Sequence, residues 1–320
     1  MESIMTNKCL YCYQPIDSDA DFHEKCSLGF FGTKTPPNLS YTLDQMTELA
    51  KNVVERSVAV PGVQPKLSLS LLQDTLNNGD RGRLTVVGAL GGNYILKPPS
   101  LHHAEIPQNE HVTMRMAEDA FNIRTVPSSM IRLASGELAY ITRRIDRTPE
   151  GGKIHMQDMF QVLEAFDKYK GSMERIGKAI AYYSDNTLLD QLAYFELALF
   201  SYISGNNDMH LKNFSMIVKN GSWGLAPAYD LLNVKIVNPE DNEELALPID
   251  SKKRKLKTEH FVRFGEGLGL NSRQIKNSFA RFQKNKIVAE GWLDRSFLSK
   301  EMTTSYHEIL NERMANLFGV

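Results

Sequence analysis

The sequence predicts an α+β chain of two lobes: a β-rich small lobe over 39–150 and a mainly helical large lobe over 151–320, behind a short Cys/His element at 1–38. Three observations carry this. Between Leu67 and Lys97 short runs alternate apolar and polar residues and are separated by turn residues, the period-two pattern of half-buried strands. From Thr187 to Ile203 the period changes, and Leu188, Leu192, Phe195, Leu199 and Tyr202 recur at helical spacing. That helix runs into a polar stretch, Gly205-Asn206-Asn207-Asp208-Met209-His210-Leu211-Lys212-Asn213, and Pro227-Ala228-Tyr229-Asp230 follows a short way on.

A chain of 320 residues can bury a large core, most simply as two domains. With 37 Lys and Arg against 38 Asp and Glu the formal charge is −1, so no overall field draws the chain onto nucleic acid. DNA contact would need a local patch or a partner. An apolar run of about 18 residues and a charged-then-apolar leader are both missing, so the expectation is a cytoplasmic chain without membrane contact. All 3 cysteines fall within the first 26 residues, an odd number that does not make a secreted disulfide framework. There is no internal repeat or low-complexity segment.

Taken in order, the chain opens with Cys9-x-x-Cys12 and His23-x-x-Cys26. These two pairs offer four soft or borderline ligands for a tetrahedral, closed and therefore structural Zn²⁺; the alternative is a set of reduced, partly buried thiols beside a surface His. Thr33 to Ser40 is a Pro-containing connector. Thr42 and Gln45 form a capping box for a helix whose apolar face is Leu43, Met46, Leu49 or Ala50, and Val53. Val60-Pro61-Gly62-Val63-Gln64-Pro65-Lys66 then leads into a strand with Leu67, Leu69 and Leu71 on one face. A Gly beside Pro with a Lys just beyond fits a tight turn over phosphates, and by itself fits an ordinary β-turn as well. Asn77-Asn78-Gly79-Asp80 is a turn, and Leu84 to Gly88 and Asn93 to Lys97 are further strands of the same sheet.

Lys97 ends its strand, and a helix over 107–122 places Glu110, Met114, Ala117 and Phe121 on one face, making Glu110 the natural partner of Lys97. Tyr140 to Arg147 is a strand. From about Gly151 the character turns helical, with His155 to Asp158 as the entry and a helix from Ser172 to Tyr183. After Asp230 an acidic loop, Asn238 to Glu244, precedes the basic run Lys252 to Lys257, which is either a solvated loop or a contact for RNA, a tRNA-bearing substrate or partner-held DNA. Ser272 to Phe318 forms amphipathic helices, with Phe279, Phe282 and Ile287 apolar.

The polar stretch carries the chemistry. Gly205 stops the buried helix, and Phe214 to Val218, the turn Lys219 to Ser222 and Trp223 to Ala226 make a hairpin. The hairpin brings Asp208, Asn213 and Asp230 to one mouth. Two carboxylates and a carboxamide are hard oxygen donors suited to Mg²⁺, with one carboxylate left to accept a hydroxyl proton. The Asp208 to Asn213 interval is that of the kinase catalytic loop, and Asp230 stands where the second metal-binding Asp stands. Singly, each residue would be no more than an Asx turn or cap.

Asn-x-Asp-x-His-x-Lys-Asn-Phe-Ser at 206–215, followed by Pro-x-Tyr-Asp at 227–230, resembles the HipA-type toxin serine/threonine kinases of bacterial toxin–antitoxin systems, over about Val58 to Asp230. The resemblance implies a protein-kinase-like fold with ATP and Mg²⁺ in the cleft between the lobes. It implies Asp208 as proton acceptor and Asn213 and Asp230 as metal ligands. It further implies that Pro61, Gly62, Val63, Gln64 and Lys66 form the phosphate-side loop, that Lys97 and Glu110 form the phosphate-holding pair, that Arg143, Arg144 and Ile145 lie on the adenine hinge, and that His210, Lys212 and Tyr229 line the nucleotide.

Two departures matter. His210 follows the catalytic Asp rather than preceding it as in ordinary protein kinases. The serines that the family phosphorylates on itself in the phosphate-side loop align with Ala59 and Pro61, so self-inhibition is lost or uses Ser57 or another hydroxyl. The length fits the shorter, HipT-like type, which implies a small HipS-like partner, a DNA-binding HipB-like antitoxin that alone reaches DNA, and an aminoacyl-tRNA synthetase or other translation component as substrate, with growth arrest the result. Two rivals are a nucleotide-binding regulatory subunit of an antitoxin complex and a small-molecule or lipid kinase, since phosphoinositide-type kinases also use the order Asp-x-His-x-x-Asn.

Overall fold

Alternation in the first half and a helical period in the second produce two units, seen in a computed structural model that describes residues 7–16, 18–56, 66–73, 82–86, 92–100 and 102–319. The first unit comprises Met1–His111, Val126–Gly152 and Arg295–Phe297; the second comprises Val112–Thr125, Lys153–Asp294 and Leu298–Val320.

In the first unit, β1 (Asn7–Lys8) and β2 (Pro15–Ile16) pair antiparallel and are followed by α1 (Glu24–Phe31). Helix α2 (Leu43–Arg56) has the predicted capping box: the Thr42 backbone N–H donates to Gln45 Oε1 at 2.9 Å and the Gln45 N–H to Thr42 Oγ1 at 3.3 Å. The sheet holds β3 (Leu67–Gln73), β4 (Gly82–Val86), β5 (Tyr94–Lys97), β6 (Ser128–Arg132) and β7 (Leu138–Arg143), antiparallel throughout in the order β4-β3-β5-β7-β6. Leu67, Leu69, Leu84 and Leu96 are buried, as the alternation requires. Two bounds differ from expectation. Strand β7 stops at Arg143 rather than Arg147, and α3 (Ile106–Arg115) passes into one π-helical turn, Met116–Ala120, instead of continuing to Asn122. Gly88 and the Asn77–Asp80 turn lie outside the described residues.

The second unit is built around α6 (Thr187–Ile203), preceded by β8 (Met156–Asp158), α4 (Met159–Val162) and α5 (Met173–Tyr183). Ser172 caps α5 by accepting the Arg175 N–H at 3.2 Å. Tyr194, Phe195, Leu199, Phe200, Tyr202 and Ile203 are fully buried, so α6 is covered on more than one face over its C-terminal half. Leu188 departs from this: it lies in the first turn of α6, ahead of where burial begins, and is 63% exposed.

The predicted hairpin is β9 (Ser215–Lys219) and β10 (Ser222–Leu225), with β8 on the far side of β9. Ser222 pairs with Lys219, leaving Asn220 and Gly221, at φ 51° and 81°, as a two-residue turn of the type that matches strand twist. Helices α7 (Val234–Val237), α8 (Thr258–Gly267), α9 (Ser272–Asp294) and α10 (Lys300–Phe318) complete the unit. Phe264 of α8 and Phe279 of α9 each lie 6.1 Å from Phe195. Ile287, one of the apolar residues of the 272–318 segment, is 74% exposed, because the buried face of α9 runs through Ile275, Ser278, Phe282 and Ala289 and Ile287 falls well round the helix from it. The basic run is folded onto the acidic loop: Lys253 pairs with Glu243 at 3.0 Å, and the Leu256 N–H donates to Glu244 Oε2 at 2.7 Å.

Gly205 ends α6 at φ 69°, where a Cβ would stand 2.6 Å from Asn233 Oδ1 and 3.0 Å from Ile309 Cγ2. Asn233 cannot retreat, since it is fully buried and caps α7 through the Ile236 N–H. Gly205→Ala is therefore expected to cost about 1–3 kcal/mol or more, read as a lower urea midpoint at unchanged slope. An unaltered midpoint would refute this account of the turn.

Candidate active site

Beyond Gly205 the chain is held to the end of α6 by its own backbone: Asn206 N–H donates to the Ser201 carbonyl at 2.9 Å, and Lys235 N–H to the Gly205 carbonyl at 3.1 Å. Met209 and Leu211 are buried and seat the loop, while Lys212 between Leu211 and Asn213 is exposed. A 3₁₀ turn, Leu211–Asn213, delivers the chain into β9.

Asn213 is the hub. Its Oδ1 accepts the His210 backbone N–H at 3.1 Å and its Nδ2 donates to Asp230 Oδ2 at 2.9 Å. Asp230 sits at φ 62°, a left-handed conformation that Asp tolerates better than most residues, at the end of the segment leaving β10. The Tyr229 phenol contacts Ser215 Oγ at 2.6 Å and donates to the Lys212 carbonyl at 2.9 Å, so its side chain braces the 3₁₀ turn, and burial pushes its pKa up.

Asp208 is half-buried and its Oδ1 accepts the Tyr169 hydroxyl at 2.8 Å. Burial raises its carboxyl above the ordinary value; the Tyr169 hydrogen bond and the Lys168 ammonium oppose that, and the charges of Asp230 and Asp241 add to it. His210 is buried with its ring edge-on to Tyr169 at 5.2 Å, and the Lys212 ammonium lies 4.7 Å from the Phe160 ring centroid. Thus Asp208, His210, Lys212, Asn213, Tyr229 and Asp230 share one neighbourhood, as do Lys97 and Glu110 within the first unit, which pair at 2.5 Å with both side chains buried.

A family profile for the HipA-like C-terminal domain matches residues 58–290. The chain belongs to that family. A Haemophilus influenzae protein named as a kinase is 30% identical over 252 residues, covering 69% of this chain and 70% of its own length. The Shewanella oneidensis serine/threonine-protein kinase toxin HipA is 25% identical over 258 residues, 73% of this chain and 57% of the toxin. Among solved structures, Shewanella oneidensis HipA, in its complex with HipB and operator DNA, superposes with TM-score 0.67 at 22% identity, covering 82% of this chain and 65% of that one. The Helicobacter pylori proinflammatory kinase CtkA superposes with TM-score 0.52 at 12% identity, over 72% of this chain and 90% of its own. The fold is accordingly the α+β fold of HipA-type kinases, and the chain spans a little over half of the Shewanella toxin.

Within this HipA-like chain the remaining predicted residues fall as follows. Pro61, Gly62, Val63 and Gln64, with Ser57 and Ala59, lie outside the described residues, and Lys66 stands exposed just before β3. The guanidinium of Arg143 donates to the carbonyls of Gly29, at 3.2 Å, and of Phe30, so this hinge side chain is committed to α1. Arg144 pairs with Asp146 at 2.7 Å while its backbone N–H donates to the Asn93 carbonyl at 2.8 Å; Ile145 is half-buried. Cys9, Cys12, His23 and Cys26 bring one ligand atom each to within 4.8 Å of one another. Tyr169 is the residue the sequence reading missed: it sits in a polar loop 39 positions before Asp208, and only an aromatic amid charged residues marks it. Among the described residues no helix is long and apolar enough to cross a membrane.

Because the folded carboxyl of Asp208 titrates above its ordinary value, the folded chain holds that proton more tightly than the unfolded chain. Its contribution to stability is present below the ordinary pKa and lost as pH rises through the folded one. Asp208→Asn, neutral throughout, is expected to unfold at a higher temperature than wild type at pH 7, with the gap closing as pH falls toward about 4. Thermal melts across pH check this; a gap that is constant or reversed would show that burial does not govern this group.

Proposed function

We propose that this chain is an ATP-dependent serine/threonine protein kinase acting as the toxin of a bacterial toxin–antitoxin system. The observation that carries the reading is the Asn213 to Asp230 hydrogen bond, 2.9 Å across 17 positions, in the loop whose Asp208 already accepts a hydroxyl. Asp230 through its carboxylate would hold Mg²⁺, with Asn213 adding the amide-oxygen lone pair that the His210 N–H leaves open, and this donor set fits a hard cation. That ion, when bound, offsets charge on the phosphate oxygens.

In the reaction the hydroxyl oxygen of a substrate Ser or Thr bonds to the γ-phosphorus of ATP, the bond from that phosphorus to the bridging oxygen breaks, and ADP leaves. Asp208 receives the hydroxyl proton, and its raised affinity for a proton suits the task. Lys97, fixed by Glu110, is assigned to the nucleotide phosphates, with the 61–66 loop, and the 143–145 backbone to adenine. Tyr169 holds Asp208 in place and would yield its position at Oδ1 to the substrate hydroxyl.

The likeness to a HipA seen with HipB and operator DNA supports a DNA-binding antitoxin as partner, and a net charge of −1 agrees with DNA reached only through it. A HipS-like small partner and an aminoacyl-tRNA synthetase substrate are the finer form of the proposal.

Incubating the purified chain with γ-labelled ATP and a lysate of its host is expected to label one discrete protein. Asp208→Asn and Asp230→Asn, both folded by circular dichroism, are expected to reduce labelling by about 10²-fold or more. Labelled small molecules would replace this reading with a metabolite or lipid kinase; no labelling beside intact ATP binding would replace it with a regulatory nucleotide sensor.

A further inference from the structure

The kinase reading makes no use of the Cys/His cluster in the first unit. We propose that Cys9, Cys12, His23 and Cys26 bind one zinc ion, and that this ion fixes the N-terminal element as the support for β7 and for the Glu110 turn of α3. The inference stands whether or not the chain transfers phosphate.

The spacing suits a four-ligand site, with all four ligand atoms within 4.8 Å of one another. Cys12 Sγ lies 3.4 Å and Cys26 Sγ 3.9 Å from His23 Nδ1. Bond lengths of about 2.3 Å to sulfur and 2.0–2.1 Å to nitrogen imply tetrahedral S···N edges of about 3.6 Å. His23 Nε2 is 3.0 Å from the Pro15 carbonyl, and a ring N–H donated there leaves the Nδ1 lone pair for the metal, the usual arrangement around a ligating imidazole. The backbone is set as well. Cys9 and Cys12 flank a turn closed by the Tyr13 N–H to the Cys9 carbonyl at 2.9 Å, while His23 is the N-cap of α1 and Cys26 lies in its first turn. Three thiols and one imidazole select zinc over the oxygen-seeking Mg²⁺ of phosphoryl transfer.

Why the chain needs an ion here follows from the size of the element. Two strands of 2 residues and a helix of 8 bury too little to order themselves. Yet their contacts are extensive. Phe30 and Phe31 lie 5.9 and 6.1 Å from the Tyr94 ring on β5, and Asp21 pairs with Arg132 of β6 at 2.8 Å. The carbonyls of Gly29 and Phe30 take the Arg143 guanidinium of β7. Tyr13, buried at φ 61° directly after Cys12, meets His111 Nδ1 at 2.8 Å, one residue from Glu110. A metal that closes the Cys9–Cys12 turn therefore also places Tyr13, and through it the turn of α3 that holds Lys97.

The test uses the full chain purified from cells grown without added zinc. About one zinc per chain is expected by plasma mass spectrometry, and titrating the 3 native thiols with a mercurial should release it stoichiometrically to a metallochromic dye. Cobalt exchange should give thiolate charge-transfer and tetrahedral d–d bands, retained in His23→Cys and lost in His23→Ala and Cys26→Ser. Mercurial treatment should lower the unfolding temperature, with recovery on adding thiol and zinc but not thiol and magnesium. Folded wild-type protein without metal, or Cys26→Ser with full zinc, would overturn the site. Complete zinc release at an unchanged melting temperature would overturn the supporting role.

Discussion

The second unit depends on how a fully buried helix is brought to an end. Helix α6 closes inside the unit, where water cannot satisfy its last carbonyls. The solution is a left-handed Gly205 packed against Asn233, with Ser204 N–H returned to the Phe200 carbonyl at 2.9 Å and Asn206 N–H to the Ser201 carbonyl. A side chain at 205 would displace Asn233, which caps α7 and is itself fully buried. The polar loop from Asn206 to Asn213 inherits its position from this joint, and Met209 and Leu211 fix it by burial while Asp208 keeps contact with solvent.

Electrostatics then explain the choice of residue at 213. Asp208 and Asp230 are near enough for one charge to raise the proton affinity of the other. A third carboxylate at 213 would add to that repulsion, whereas the Asn213 carboxamide donates to Asp230 with one end and accepts from the loop backbone with the other. The hairpin that carries Asp230 back is pinned by another buried acid: Asp190 on α6 accepts the Leu225 N–H at 2.7 Å and the Ser184 hydroxyl at 2.6 Å. Two carboxyl groups thus hang from one helix and its end, Asp190 fixing the hairpin and Asp208 facing the Tyr169 hydroxyl.

What the sequence made legible was periodicity and short-range chemistry. The 187–203 helix, the helix ending at Tyr183, the Thr42–Gln45 box and the Asn220-Gly221 turn all follow from local rules and appear where those rules put them. Strand β6, Ser128–Arg132, was not read because its apolar pattern is only two residues long and its burial comes from pairing with β7. Exposure of Leu188 and Ile287 escaped for a related reason: periodicity says which residues share a face, and packing decides where along the helix that face is covered. Tyr169 and the turning of Arg143 toward α1 are long-range contacts that no local spacing encodes.

The buried pair Lys97 and Glu110 makes the same distinction between stability and task. Both side chains are withdrawn from water, Lys97 also lying 5.3 Å from the Tyr140 ring centroid. Desolvating two charges consumes most of what their attraction returns, and an apolar pair of similar volume would commonly serve stability as well or better. A sheet selected for stability alone therefore has no need of this arrangement. What the ion pair supplies is a lysine held in a single position at the end of β5 by a carboxylate 2.5 Å away. A fixed cation at a strand end is what the proposed nucleotide role requires, and it accounts for a costly interaction that stability by itself does not explain.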